Sequence, residues 1–147
     1  MANVLVSGGT IVTSAGELRA DLLVREGRVA AVGTELPAAD RTIDATDLLV
    51  LPGGVDTHVH LMDPGDTTRE DFPSGTAAAA ARGVTTIIEH THGHPIRAVE
   101  DLTAKKAHLA GRSNVDYALA AHTWPDRVRG IGDLWRAGVA FFKIFTC

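Results

Sequence analysis

The sequence predicts an α/β fold in which a β-rich N-terminal segment is followed by alternating strands and helices. Before residue 51, short runs rich in valine, leucine, isoleucine and threonine are separated by turns that contain glycine. From the Pro-Gly-Gly sequence at residues 52–54 onwards, strand-like and helix-like segments alternate. Such alternation predicts parallel βαβ units, and hence an α/β layer or barrel. We therefore predict two segments, residues 1–51 and residues 52–147.

Six short strands are predicted in the first segment. The pairs Gly8-Gly9 and Glu26-Gly27 each separate two such runs, and turn pairs of this type are typical of β-hairpins. We expect a small β-meander that contributes to a sandwich. The predicted strands cover residues 4–6, 10–13, 21–25, 28–32, 42–45 and 48–51.

In the second segment, four strands alternate with three helices. Asp71 is a suitable N-cap for the first helix, and Gly83 is a suitable residue to end it. The predicted strands cover residues 55–61, 84–89, 115–121 and 139–145, and the predicted helices cover residues 72–82, 96–110 and 127–137.

The composition is that of a soluble globular protein, with 45% apolar residues, 22% charged residues and a net charge of −4. Without a basic stripe, the chain is not expected to bind nucleic acid. Its apolar runs are far shorter than the roughly 20 residues that a membrane span needs. A lone cysteine, Cys147, excludes an internal disulfide and favours a cytoplasmic, reducing setting.

The sharpest chemical feature is the pair His58 and His60 near the end of the first strand of the second segment. Side chains two residues apart in a strand point to the same face, so these two imidazoles can converge on one cation. Barrels of parallel strands carry their active sites at this end. We therefore predict that both histidines bind a metal ion, the alternative being a pair of hydrogen-bonded surface histidines.

Lys143 lies in the middle of an apolar strand, at residues 139–145. Burying a charged lysine is costly, so its stem can instead lead the amine to water at a strand end. Alternatively, desolvation lowers the pKa of the amine, which can then react with carbon dioxide to form an anionic carbamate. The residues alone favour the first interpretation.

Further polar residues follow the second and third strands. His90, His92 and His94 alternate in one loop, where contact with substrate, solvent or backbone is more common than metal binding. His122 is a candidate for lining a substrate pocket. Three more residues have predicted roles: Glu89 as a hydrogen-bonding support, Trp124 beside the pocket, and His108 as an ordinary surface histidine on a helix.

These motifs resemble the amidohydrolase superfamily. Residues 52–61 (PGGVDTHVHL) look like its first barrel strand, and residues 63–65 (DPG) with the helix that follows resemble its cyclic amidohydrolases: allantoinases, dihydroorotases, hydantoinases and dihydropyrimidinases. Residues 83–89 (GVTTIIE) resemble the second strand. Residues 138–145 (GVAFFKIF) resemble the fourth strand, which bears a carboxylated lysine.

The resemblance implies a TIM-like (β/α)₈ barrel, preceded in residues 1–51 by part of an accessory β-sandwich of the composite, urease-like kind. It implies that His58 and His60 bind the more buried of two divalent metal ions, usually zinc, and that Lys143 bridges both as a carbamate. A hydroxide that bridges the metals would attack a cyclic amide. The other ligands and the catalytic aspartate belong to later strands, which these 147 residues do not contain.

The substrate follows less directly from the resemblance. Dihydroorotases carry an arginine where this chain has Met62, and an asparagine in the loop that here contains His92 and His94. We therefore favour an allantoinase- or hydantoinase-like enzyme over a dihydroorotase, with these three side chains and His122 as candidate substrate contacts. A non-catalytic scaffold of the same fold is the remaining alternative.

The length gives one more expectation. A complete barrel takes roughly 250 residues, so we expect this chain to be the N-terminal portion of a longer polypeptide. On its own it is expected to be inactive. At full length we expect a homo-oligomer that acts on a small cyclic amide.

Overall fold

The computed structural model describes residues 2–146, apart from the side chain of Arg127, and Cys147 lies outside the described residues. The chain divides into two compact units, Met1–Pro52 and Gly53–Cys147. Among the described residues, no helix is long and apolar enough to cross a membrane.

The first unit consists of two small mixed sheets. One has the strand order β5-β4-β1-β6 and the other has the order β3-β2-β7. In each sheet one pairing is parallel, between β1 and β6 and between β2 and β7. The strands are β1 (Val4–Ser7), β2 (Thr10–Thr13), β3 (Gly16–Arg19), β4 (Asp21–Arg25), β5 (Arg28–Gly33), β6 (Arg41–Asp44) and β7 (Leu49–Val50).

The hairpin predicted at Gly8-Gly9 is wrong, because β1 and β2 belong to different sheets. Gly8 has a φ of +79° and donates its N–H to Asp21 over 2.9 Å, which turns the chain out of the first sheet. At Gly9, a Cβ would lie 2.7 Å from the Val50 side chain, so only glycine fits this close approach. The predicted meander is therefore also wrong.

The hairpin predicted at Glu26-Gly27 is confirmed, since β4 and β5 pair antiparallel across it. Both turn residues have positive φ, 51° and 75°, as a two-residue hairpin turn requires. β3 was not predicted. It pairs antiparallel with β2 and is exposed along its whole length. Its sequence therefore has no need of the apolar alternation by which a half-buried strand is recognised.

The second unit contains parallel strands connected by helices, as predicted. The strand order is β10-β9-β8, and β11 pairs with β12. The strands are β8 (Gly54–Val59), β9 (Val84–Glu89), β10 (Asp116–Leu119), β11 (Ala121–His122) and β12 (Phe142–Lys143), and the helices are α1 (Phe72–Ala81), α2 (Val99–Leu109) and α3 (Ile131–Arg136).

The ends of α1 are those the sequence predicts. Asp71 caps the helix by accepting the N–H of Ser74 over 2.8 Å, and the Ser74 side chain bonds back to the backbone of Asp71. Gly83 follows the helix with a φ of +80°.

The second helix is shorter than predicted and begins at Val99 rather than at residue 96. Asp101 accepts the N–H groups of Arg97 and Ala98 over 2.9 and 3.0 Å, which places the helix start after them. Ile96 instead forms a β-bridge with Ala121.

The last helix and strand are also shorter than predicted. A 3₁₀ helix, Pro125–Gly130, precedes α3, and the glycine at its end favours a break over one continuous helix. The N–H of Val139 bonds to the carbonyl of Leu134, so this residue still belongs to the turn after α3. Ala140 and Phe141 already bond to the backbone of Leu119 and Ala121, and they lead directly into β12.

The apolar core of this unit lies between the sheet and the helices. It is formed by strand residues such as Ile87 and Leu119 and by helix residues such as Phe72 and Leu102, all at most 2% exposed. This packing fixes the strands side by side, so the residues at their carboxyl ends share one edge of the sheet.

Candidate functional site

The carboxyl ends of the parallel strands bring together histidines that are distant in sequence. The centre of this group is the contact between His58 of β8 and Lys143 of β12. The His58 Nε2 and Lys143 Nζ atoms are 3.1 Å apart, across 85 residues of sequence. β8 pairs with β9 and β12 pairs with β11, both in parallel, and this arrangement brings the ends of β8 and β12 together.

His60 follows β8 directly, and its orientation is set by the next strand. Its Nδ1 lies 2.5 Å from the carbonyl oxygen of His90, which can only accept, so Nδ1 carries the proton. The Nε2 atom of His60 is therefore left with a free lone pair. A backbone carbonyl that fixes the ring in this way is typical of metal-binding histidines.

His90 supports both histidines of the pair. Its ring stacks on His58 with centroids 4.4 Å apart and planes 9° from parallel, and Phe141 packs against it at 4.7 Å. Its Nε2 donates to the carbonyl of Thr57 over 3.0 Å. Burial lowers the pKa of the His90 imidazole, which is 2% exposed. His90 is thus a neutral support, a role that its position directly after β9 could have indicated.

His92 reaches the pair from the loop after β9. Its Nε2 lies 3.2 Å from the Nε2 of His60, and the two rings are nearly perpendicular. The pKa of His92 is lowered by desolvation and then by the neighbouring His60 and Lys143. Of the candidate substrate contacts, this residue comes closest to the predicted metal ligands.

His122 ends β11 and is paired with Lys143 in the strand register. It is 3% exposed, and burial lowers the pKa of its imidazole to about 4, so the ring is neutral near pH 7. Its Nε2 is buried without a partner among the described residues. Phe145 and Trp124 pack against the ring with centroids 5.5 and 5.9 Å away, so the three form an aromatic wall beside the site.

The other two candidate substrate contacts do not join this group. Met62 is half-buried and has a φ of +55°, a left-handed conformation that is rare for methionine. His94 is exposed and lines a separate cavity of about 420 Å³ with Pro64, Lys105 and His108 among its walls.

A buried ion pair anchors the end of β9 to α2. Lys105 Nζ lies 2.8 Å from Glu89 Oε2, and the two side chains are 3% and 0% exposed. Thr91 donates its hydroxyl to the same carboxylate over 2.7 Å and is also contacted by Lys105. Glu89 thus has the supporting role that the sequence predicts for it. The contribution of Lys105 was missed, because a lysine on an amphipathic helix usually faces solvent.

A second buried carboxylate, Asp63, holds the loop after His60. It accepts the N–H of Phe72 over 2.9 Å and pairs with His108 and Arg112 at 2.5 and 2.7 Å. Burial opposes ionisation of Asp63, but these donors lower its pKa to about 2. The prediction that His108 is an ordinary surface histidine is therefore wrong, since it is bound to a buried carboxylate.

The donor set fits a divalent cation in part. Within residues 2–146, no three histidine, cysteine, aspartate or glutamate side chains are arranged to hold a metal ion. The imidazole nitrogens of His58 and His60 are nevertheless suitable zinc ligands. Lys143 adds an anionic ligand to such a set only after carboxylation.

Comparisons of the sequence with protein families and with known proteins all point to the amidohydrolase family. A statistical model of the amidohydrolase family matches residues 49–126. An allantoinase of Rubrobacter xylanophilus is 42% identical over 97% of this chain and 32% of its own length. A D-hydantoinase of Geobacillus stearothermophilus is 41% identical over 77% of this chain and 25% of its own length.

Solved structures agree with the sequence matches. An L-hydantoinase (dihydropyrimidinase) from Arthrobacter aurescens superposes with a TM-score of 0.84 and 35% identity, over 97% of this chain and 32% of the hydantoinase chain. A D-hydantoinase superposes with a TM-score of 0.83 over 99% of this chain and 33% of its own. The chain therefore spans about a third of the length of most of these relatives.

Proposed function

Since this chain belongs to the amidohydrolase family, we propose that it supplies the first metal ligands of an enzyme that hydrolyses the C–N bond of a cyclic amide. The observation that carries the proposal is the contact of 3.1 Å between Lys143 Nζ and His58 Nε2. A lysine amine beside an imidazole, at the carboxyl edge of a parallel sheet, is in the right place to complete a metal site.

Three residues hold the cations in this proposal. His58 and His60 bind through neutral imidazole nitrogens, and Lys143 binds as a carbamate. The carbamate forms when the neutral amine of Lys143 attacks carbon dioxide: a C–N bond forms, one proton is released, and the product carries one negative charge. Two divalent cations, which we take to be zinc, supply Lewis acidity that lowers the pKa of water and polarises a carbonyl group.

The surrounding residues orient these ligands and shape the pocket. The carbonyl of His90 keeps the proton of His60 on Nδ1, and its ring supports His58. The neutral ring of His122, with Phe145 and Trp124, provides an apolar wall that excludes water and can stack against a flat ring. We assign the remaining ligands and the catalytic aspartate to a further part of the polypeptide, since the relatives are about three times as long.

The same comparison supports a proposal for the domains. We assign residues 1–51 to an accessory β-sandwich and residues 52–147 to the first four strands of a (β/α)₈ barrel. The parallel order of β8, β9 and β10, with β11 and β12 following, supports the second assignment.

For the substrate, we propose an allantoin-, hydantoin- or dihydropyrimidine-like ring, with an allantoinase favoured. The relatives named above are allantoinases and hydantoinases. Met62 stands where a dihydroorotase would carry an arginine for the substrate carboxylate, which makes that activity the weaker alternative.

The test uses the native polypeptide, meaning the full-length gene product that contains these 147 residues. Metal-free protein is reconstituted with zinc, with and without bicarbonate, and its metal content and its hydrolysis of allantoin, hydantoin, dihydrouracil and dihydroorotate are measured. We expect zinc binding to depend on bicarbonate, and we expect His58→Ala and Lys143→Ala to lose both metal and activity.

Lys143→Arg serves as the matched control, because it keeps the positive charge but cannot form the carbamate. It should behave like Lys143→Ala. A well-folded native polypeptide that binds negligible metal would instead support a non-catalytic scaffold.

A further inference from the structure

We propose that Arg97 is a specificity-determining residue, which binds a carboxylate group carried outside the ring of the cyclic amide. The inference rests on the proposed function, since it requires that such a ring be hydrolysed beside His58 and Lys143. It goes further in one respect, because it narrows the substrate to cyclic amides that have an anionic side group.

The first argument is the position of Arg97 beside the strands. Ile96 forms a parallel β-bridge with Ala121, and the N–H of His122 bonds to the carbonyl of Ile96 over 2.8 Å. Arg97 is therefore next to His122, which is paired with Lys143 in the register of β11 and β12. Because neighbouring strands are about 4.8 Å apart, the backbones at Arg97 and Lys143 are separated by about 10 Å. A ring with a short side group and the arginine side chain can span this distance together.

The second argument is the contact that directs the Arg97 side chain. Its Cζ atom lies 4.7 Å from the centroid of the Trp124 ring. Trp124 also packs against His122, so the guanidinium lies on the same side of the strands as the aromatic wall of the site. An arginine held over an aromatic ring keeps the N–H donors in its own plane available, and two of these donors match the two oxygen atoms of a carboxylate.

The third argument is the charge around Arg97. Its side chain is exposed, and in the part of the chain that the structure describes no carboxylate lies within ion-pair distance of its guanidinium. The carboxylate closest to it in sequence, Asp101, accepts the backbone N–H groups of Arg97 and Ala98 and so fixes the backbone instead. The guanidinium is thus oriented but not neutralised by a partner, which favours an anionic ligand.

The charge of the side group should decide how strongly Arg97 contributes. Hydrogen bonds between two charged groups are about twice as strong as those between neutral groups. A carboxylate should therefore gain much more from Arg97 than an uncharged amide of the same shape. Because Arg97 is exposed, the attraction should also weaken as the salt concentration rises.

The experiment measures kcat and KM of the zinc-loaded native polypeptide for hydantoin-5-acetate and for its uncharged amide, hydantoin-5-acetamide. We expect the unaltered protein to prefer the acid by at least about 10-fold in kcat/KM. Arg97→Met keeps an apolar side chain beside Trp124 but removes the charge, and it should lower the ratio of acid to amide by about 10–100-fold. The change should appear in KM for the acid, because the contact is the same before and during the reaction.

Two variants and one change of conditions serve as controls. Arg97→Lys keeps the charge without the paired donors and should give an intermediate ratio. Arg136→Met removes an exposed arginine of α3 that pairs with Asp133, and it should leave the ratio unchanged. In the unaltered protein, raising the salt concentration from about 0.05 M to about 0.5 M should raise KM for the acid but not for the amide.

The outcomes separate this inference from the proposed function. If the unaltered protein hydrolyses the acid and the amide equally well, the inference is wrong and the proposed function stands. The same conclusion follows if Arg97→Met slows both substrates by the same factor, since Arg97 would then support the loop rather than bind the side group. If the unaltered protein hydrolyses no cyclic amide, both are wrong.

Discussion

Replacing Asp63 with asparagine tests whether a buried carboxylate holds the loop beside the histidine pair. Asp63 is 1% exposed and accepts hydrogen bonds from Phe72, His108 and Arg112. Asparagine has nearly the same shape, but it carries no charge and cannot titrate. The substitution removes the negative charge and one of the two accepting oxygen atoms, because an amide has a single acceptor oxygen, and it leaves the packing almost unchanged.

The magnitude follows from the pKa of Asp63. A decrease from 3.8 to about 2 corresponds to roughly 2 kcal/mol of stability at neutral pH, at 1.36 kcal/mol per pKa unit. The folded-state pKa lies below the unfolded one, so this stabilisation is complete above pH 4 to 5 and is lost as the pH falls towards 2. At pH 3, about 1 kcal/mol of it should already be lost.

Hydrogen exchange of residues 61–76 in the native polypeptide, followed by mass spectrometry between pH 3 and 6, measures this locally. At pH 6, we expect Asp63→Asn to lower the free energy of opening by about 2 kcal/mol. The difference from the unaltered protein should shrink by about 1 kcal/mol at pH 3. A difference that is the same at both pH values would refute the reasoning.

Three other substitutions probe the support of the site and the turn between the sheets. Lys105→Met should lower the free energy of unfolding by about 3–5 kcal/mol, because it leaves Glu89 buried without its cation. In urea denaturation, adding Glu89→Leu should recover most of that loss. A single variant as stable as the unaltered protein would contradict this. His90→Ala should weaken zinc binding by about 10–100-fold in a chelator competition. His90→Phe keeps a stacked ring, so its zinc affinity should stay within about a few-fold of that of the unaltered protein. Equal affinities of the two variants would show that the ring does not position the ligands. Gly9→Ala places a Cβ 2.7 Å from the Val50 side chain and should lower the free energy of unfolding by about 1–3 kcal/mol, measured by urea denaturation. Adding Val50→Ala should restore part of that stability. An unchanged urea midpoint would mean that the chain at Gly9 and β7 can move apart at little cost.

The parts of the fold that could be predicted are those with local signals. The first helix was predicted closely because Asp71 and Gly83 mark its ends through contacts within a few residues. The Gly8-Gly9 turn was not, because the same dipeptide suits a hairpin and a passage between two sheets. Only the distant partners of β1 and β2, which lie up to about 40 residues away, distinguish the two.

The residues of the candidate site also divide into those with a local sequence signal and those whose contacts depend on distant parts of the chain. The spacing of His58 and His60 indicates a shared face directly, but their contacts with Lys143 and His90 depend on strand order and register. The sequence therefore suggested which residue types to consider and could not show which of the loop histidines meets the pair. His92 does and His94 does not, although both alternate on the same loop.

The parallel strand order also determines how the site is assembled during folding. A direct encounter between His58 and Lys143 would have to close a loop of 85 residues. Pairing of β8 with β9 and of β9 with β10 each spans only about 30 residues, so we expect these pairings to form first. Each pairing then closes a short loop, so the entropic cost of loop closure is divided among several steps. We expect the His58–Lys143 contact to be among the last to form. Parallel pairing of this kind is slow, so variants that weaken β9 should delay the appearance of the whole site.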